Sequence, residues 1–230
     1  MRQEPAFIEA FAHFLLGRVT PNKKKRFEEA IAYRTRYLTV VLEDIFQPHN
    51  ASAVVRTCDC YGLQDLHVIE EKYPYILSDQ VTSGASKWVT INRYPTRLSA
   101  IERLKQEGYL LVATSPSNSS HSLHELPLDR KFALGFGTEK YGLSDEFVAA
   151  ADYHMHIPMY GFTESFNISV SAAISISHLV TRLHGSPIAW QLSEEEKYRT
   201  LVQWCMTNLK DGLVLEKEFT LQWHKHRESL

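Results

Sequence analysis

The feature that most constrains this chain is an alternation of two hydrophobic periods in its middle section. Leu38–Leu42, Leu66–Ile69, Trp88–Ile91, Tyr109–Thr114 and Ala133–Phe136 are short apolar runs rich in β-branched residues. Between several of them, at 51–61, 96–107 and 144–151, the apolar residues recur at helical spacing. Strands that are apolar on both faces and alternate with helices predict an α/β domain with a mostly parallel sheet covered by helices on both faces. Outside this section, Phe7, Ile8, Phe11, Phe14 and Leu15 follow Pro5 at helical spacing, and a second helix is expected near Pro21. Two further helices, near 193–209 and 214–227, follow Gly185-Ser186-Pro187. The predicted division is an N-terminal helical extension over 1–37, a core over 38–184 and a C-terminal helical extension over 185–230.

Apolar residues make up 44 % of the 230, enough for a full core. No run approaches the ~18 apolar residues of a membrane span. An acid and a proline stand in Met1-Arg2-Gln3-Glu4-Pro5 where a signal peptide would be apolar. Three cysteines make no disulfide framework, so a reducing, cytoplasmic location is expected. A net charge of −2 argues at first against a nucleic-acid partner, but the charge is uneven. Residues 1–37 carry 8 basic and 4 acidic side chains, whereas 38–185 carry 11 and 16. Lys23, Lys24, Lys25 and Arg26, with Arg34 and Arg36 in the same segment and Lys87 in the core, are candidate RNA phosphate contacts only through the family resemblance described below, which implies an RNA substrate. A solvated helix face explains the lysine run equally well.

No metal site is expected. Cys58 and Cys60 point about 200° apart on a helix, and no ligand cluster accompanies His154 and His156 or His121 and His124. Gly135-Phe136-Gly137-Thr138-Glu139-Lys140-Tyr141-Gly142 fails the dinucleotide fingerprint, because Lys140 stands where G-x-G-x-x-G needs its third glycine. Its glycines still permit close approach of the backbone to a ligand at a sheet edge. Asn50 reads as a helix N-cap. Arg56, beside Val54 and Val55, reads as a partly buried guanidinium in need of an anion such as phosphate. In Ile157–Ala173 a strand end, a turn at Gly161 and a helix start at Ser165 and Asn167 bring several donors together. Small residues crowd the helix that follows: Ser169, Ser171, Ala172, Ala173, Ser175 and Ser177.

Asn50–Arg56, Leu134–Ser144 and Ile157–Ala173 resemble, in order and spacing, the three motifs of the SpoU/TrmH branch of the SPOUT RNA 2′-O-methyltransferases. Ser83–Trp88 also resembles a loop of that family. The likeness covers roughly 38–184, and the third motif is highly specific. It implies a deep trefoil knot in the C-terminal part of the core, S-adenosylmethionine as cofactor and a homodimer with sites near its interface. Carried over by position, Thr114, Gly137, Ile157 and Phe166 frame the adenosine pocket, with Thr138, Met159 and Ser165 adjacent. Asn50, Glu139, Ser165 and Asn167 match the polar active-site residues, and Arg56 matches the catalytic arginine. About 37 residues precede the first strand, too few for the substrate-recognition domain typical of the ribosomal-RNA branch. The tail from Ile188 resembles that of the transfer-RNA branch, which implies methylation of the ribose of a D-loop guanosine, position 18. Ribosomal RNA or another tRNA nucleotide is the alternative substrate. A non-catalytic RNA-binding module is the alternative class, disfavoured by the intact polar set.

Overall fold

The computed structural model describes residues 4–115 and 121–228; the start of the N-terminal segment, Met1–Gln3, lies outside them, as do 116–120 and 229–230. The chain divides into two compact units, one made of Thr35–Trp190 and the other of the segments before and after it.

Among the described residues, the larger unit is built on seven strands: β1 (Leu38–Glu43), β2 (Asp65–Ile69), β3 (Thr90–Tyr94), β4 (Leu110–Thr114), β5 (His121–Ser122), β6 (Phe132–Phe136) and β7 (Tyr153–His156). They pair in the order β3-β2-β1-β6-β4-β7-β5, every pair parallel. Two helices, α3 (Pro48–Cys60) and α7 (Ile168–His184), cover one face; α5 (Arg97–Gln106) and α6 (Asp145–Ala150) cover the other. The alternation of side chains along each strand decides which core a residue joins. Leu38, Val40 and Leu42 pack with Val54, Cys58, Ile176 and Leu179, whereas Val41, Leu111 and Ala133 pack with Ile101, Leu104 and Phe147. Crossovers in opposite directions along the sheet use opposite faces, β1 to β2 through α3 and β3 to β4 through α5, as a single crossover handedness requires.

Two local expectations need correction. The strand predicted at Trp88–Ile91 starts later, at Thr90. Ser83 and Gly84 have positive φ and lead into a 3₁₀ turn, Ala85–Lys87, so the chain is not extended before Thr90; a short helix, α4 (Asp79–Thr82), precedes them. The helix after β1 begins at Pro48, whose fixed φ suits a first turn, and Gln47 occupies the cap. Asn50 is thus inside the first turn, and its side chain is released for other work.

In the smaller unit, α1 (Pro5–Leu16), α2 (Pro21–Ile31), α8 (Glu194–Asn208) and α9 (Gly212–Glu228) share an aromatic core. Phe7, Phe11 and Phe14 of α1 contact Phe219, and Phe27 of α2 meets Trp204 of α8. Caps set the helix starts: the Thr20 hydroxyl accepts from Lys23 N, and Ser193 with Glu196 forms a capping box. The two terminal extensions, separate in sequence, fold together as this one unit. Among the described residues, no helix is long and apolar enough to cross a membrane.

Candidate functional site

A cavity of about 630 Å³ opens where β4, β6 and β7 end at their carboxyl edge. Ligands of open parallel sheets bind at such edges. The turn after β6 builds one wall. Thr138 and Gly142 exchange backbone hydrogen bonds of 2.9 and 2.8 Å and fold that turn back on itself. Gly137 is obligatory there: a Cβ would fall 2.0 Å from Gly142 O, a backbone atom that has no room to yield. Thr114 Oγ1 donates to Gly135 O at 2.6 Å and fixes the end of β4 against β6. The opposite wall runs from Ile157 and Met159 to the start of α7.

Thr114, Gly137, Thr138, Ile157, Met159, Ser165 and Phe166, all expected around a cofactor, line this one cavity. Its size fits a nucleoside cofactor. Its lining also fits S-adenosylmethionine: apolar side chains for the purine, and a turn with no side chain at Gly137 to admit the ligand against the backbone. Further lining residues were not among those expected at the site, Ser115, Lys140, Tyr141, Glu164 and Ser171 among them. Lys140 and Tyr141 lie inside a singled-out motif, so being confined to the same tight turn was the signal that could have found them.

At the edge of the cavity, whose lining includes Glu139 and Asn167, three of the predicted polar residues meet. Asn50 Nδ2 and Asn167 Nδ2 each donate to Glu139 Oε1 at 2.8 Å, and Asn167 Nδ2 also reaches Asn50 Oδ1 at 3.2 Å. Asn167 caps α7, accepting from Ser169 N at 2.9 Å, while Gln47 Oε1 accepts from Asn50 Nδ2 at 3.3 Å. Residues 50, 139 and 167 are thus brought together from a helix, a turn and a cap. Asn50 is buried, Glu139 and Asn167 are exposed, and the group opens to solvent.

A second polar cluster stands where β1 ends. Glu43 and Asp44 are each 3 % exposed. Arg97 Nε lies 3.1 Å from Glu43 Oε1 and 3.4 Å from Glu71 Oε2, with Asp44 and Glu146 at 3.5 and 3.4 Å. Burial opposes the Arg97 charge, but Glu43, Glu71, Glu146 and Asp44 together outweigh it and hold the guanidinium pKa above its ordinary value. Glu43 Oε2 also accepts from Ser144 N at 2.9 Å, which ties the ion cluster to the end of the segment carrying Gly137 and Glu139.

The arginines separate sharply. Arg56 is exposed, contrary to the expected partial burial, because its place on α3 turns it away from the face that buries Val54 and Val55. It lies outside the cavity lining. Arg34 was a candidate phosphate contact, but it is 4 % exposed with its guanidinium 5.0 Å from the Trp204 ring centre, and has no surface to offer RNA. Arg36 is likewise held by Asp65 at 2.7 Å. Lys23 donates to Asn208 at 2.7 Å. Lys24 and Lys25 make only loose pairs with Glu28 and Glu29, and Arg26 and Lys87 are exposed. Among the described residues, no group of three or more His, Cys, Asp or Glu is placed to hold a metal ion. Cys58 is buried and Cys60 exposed, on opposite sides of α3.

The family model for the SpoU rRNA methylase family matches residues 37–177. A tRNA (guanosine(18)-2′-O)-methyltransferase of Borreliella burgdorferi is 50 % identical over 179 residues, covering 78 % of this chain and 82 % of its own. The crystal structure of the Aquifex aeolicus TrmH/SpoU tRNA-modifying enzyme superposes with a TM-score of 0.72 at 31 % identity, over 82 % of this chain and 97 % of that one. The SpoU methyltransferase AviRb of Streptomyces viridochromogenes, solved in complex with AdoMet, shares the fold with a TM-score of 0.59 at 21 % identity, over 69 % of this chain and 65 % of its own.

Proposed function

The chain belongs to the SpoU rRNA methylase family, and from that premise we propose that it is an S-adenosylmethionine-dependent RNA 2′-O-methyltransferase acting on guanosine 18 of tRNA. The observation that carries this reading is the cavity at the carboxyl edge, with the Asn50–Glu139–Asn167 group at its side. The substrate follows from the relatives of similar length that are named for that nucleotide. The protein acts in the cytoplasm, a reading that a tRNA substrate supports.

Gly137, Thr138, Thr114, Ile157, Met159, Ser165 and Phe166 hold the cofactor, which when bound supplies an electrophilic methyl group. The substrate contributes a ribose 2′-OH, the group that distinguishes RNA from DNA. Negative charge grows on that oxygen as its proton leaves to water or phosphate. Positioning and charge stabilisation are the means this chain has to accelerate the reaction. Asn50, Asn167 and Ser165 orient the ribose, and Glu139, by accepting from both asparagine amides, fixes which way those two side chains point. Arg56 clamps an RNA phosphate and stabilises the emerging alkoxide. A guanidinium stays protonated in proteins, so it acts as a charge and not as a base.

The active form is a homodimer, with the sites near its interface. Support comes from the exposed Tyr160, Phe162, Phe166 and Val170, large apolar side chains that follow one another closely along the chain up to the first turn of α7. The C-terminal part of the core is knotted; the hydrogen bond that joins Asn167, at the start of α7, to Glu139, in the turn after β6, supports this by bringing those two segments together. The helical unit captures tRNA through Lys24, Lys25 and Arg26.

Methylation of unmodified tRNA transcripts with S-adenosylmethionine, followed by mapping of the modified nucleotide, tests the assignment. A transcript with guanosine at position 18 is expected to gain one 2′-O-methyl there, and the same transcript with adenosine at 18 none. Equal methylation of both, or modification of ribosomal RNA alone, refutes it.

A further inference from the structure

The loops that follow β1 and β2 display two aromatic rings to solvent on a braced base. Asp44 adopts a positive φ of 52° although it is not glycine. That backbone aims its buried carboxylate at the neighbouring loop, where Oδ1 accepts from Lys72 N at 2.7 Å and Tyr73 N at 3.3 Å. Tyr75 is buried beneath, its N–H given to Glu70 Oε2 at 3.0 Å, and Ser78 N donates to Ser52 Oγ on α3 at 2.8 Å. On this support Phe46 is 72 % and Tyr73 40 % exposed, their rings 5.3 Å apart and edge-on at 73°. A fixed backbone that spends a strained residue to hold two aromatics in water has a use for their surfaces.

Their position says which use. Phe46 immediately precedes Gln47, which accepts the Asn50 amide, which in turn bonds Glu139. Along one sheet edge lie, in order, the cofactor cavity over β4, β6 and β7, the polar group that would face a ribose, and the aromatic pair beyond β1 and β2. We infer that Phe46 and Tyr73 form a stacking platform for an unpaired base of the RNA substrate, next to the nucleotide whose ribose reaches the polar group. This inference rests on the RNA-methyltransferase reading above. A 2′-OH must leave its regular helical surroundings to be aligned with the cofactor, and the bases freed nearby need a π-face to rest on. Aromatic faces serve any base, and the exposed Lys72 beside Tyr73 carries the charge that suits the adjoining backbone.

The test uses the full chain, unmodified tRNA transcript and the variants Phe46→Ala, Tyr73→Ala, Phe46→Leu and Tyr73→Phe. Each Ala variant is expected to bind transcript about ten-fold or more weakly. Phe46→Leu should share the loss and Tyr73→Phe should escape it. Cofactor affinity by calorimetry and the salt dependence of RNA binding should stay at the parent value, because every phosphate-binding side chain is kept. Unchanged transcript affinity in both Ala variants overturns the platform. So does a loss that Phe46→Leu avoids, or sedimentation showing that the Ala variants change the oligomeric state, which would give the rings to a second copy of the chain. If the parent protein binds transcript but methylates none, the enzymatic reading falls, and the binding comparison still decides the platform.

Discussion

Arg97 and Arg56 show what two environments make of one side chain. Arg97 is 13 % exposed and ringed by four carboxylates from three separate parts of the chain. Arg56 stands on an exposed helix face outside the cavity, with no ion-pair partner among the described residues. The first is committed to architecture: through Glu43 it holds the start of α6 and the turn before it. The second remains available to an anion that comes from outside. Arg34 and Arg36 fall on the committed side, over Trp204 and against Asp65. Counting basic residues therefore says little about RNA binding until each is sorted by what already holds it.

If that division is right, substitutions on the committed side should cost stability. Arg97→Ala is expected to lower the free energy of unfolding by about 3–5 kcal/mol, because it leaves Glu43 and Asp44 buried without a counter-charge. Denaturant unfolding measures this, and a loss under about 1 kcal/mol would break the comparison.

Little of that cluster was legible beforehand. The alternation of short apolar runs and helical patterns located the strands, since burial on both faces leaves a pattern inside each segment. The association of Glu43, Glu71, Arg97 and Glu146 leaves none, because their separation along the chain carries no local signal. The cap reading of Asn50, though not its place among the polar site residues, fails for a subtler reason. Asn is a good cap, but Pro48 two residues earlier also starts a helix, and the proline set the boundary. Residues that line the cavity were readable from motif resemblance, whereas the aromatic pair joins two loops that no motif connects. Arg34 and Arg36 looked like surface charges because the partners that claim them, Trp204 and Asp65, are distant in sequence.

A smaller effect, also on the architectural side, concerns pH. His67 on β2 is 2 % exposed, with Nδ1 3.0 Å from the Tyr94 hydroxyl, and burial pushes its pKa down from 6.5 to about 4. The unfolded chain accepts a proton below pH 6.5 that the folded chain refuses until about 4. The stability from this site is therefore complete above pH 6.5 and is lost as pH falls through that window, about 2 kcal/mol between pH 7 and pH 5. Unfolding of His67→Gln at the two pH values should lack this component; an equal loss in parent and variant would assign it elsewhere.

The smallest effect lies on the available side, in the helical unit. Replacing Lys24, Lys25 and Arg26 by Gln should weaken tRNA binding and flatten the slope of log affinity against log salt by roughly 2, about 0.7–0.9 for each phosphate no longer neutralised. An unchanged slope would return these residues to a solvated helix face. Lys23, already bonded to Asn208, is left intact.

Arg56→Ala examines the division between holding the cofactor and engaging RNA most directly. Calorimetry with S-adenosylmethionine and turnover on a guanosine-18 transcript are measured on the same preparation. The role assigned to Arg56 predicts cofactor affinity and folding at the parent value with turnover reduced about 100-fold or more, and partial activity in Arg56→Lys, which keeps the charge. Lost cofactor affinity, or turnover that survives the removal of the guanidinium, would contradict it.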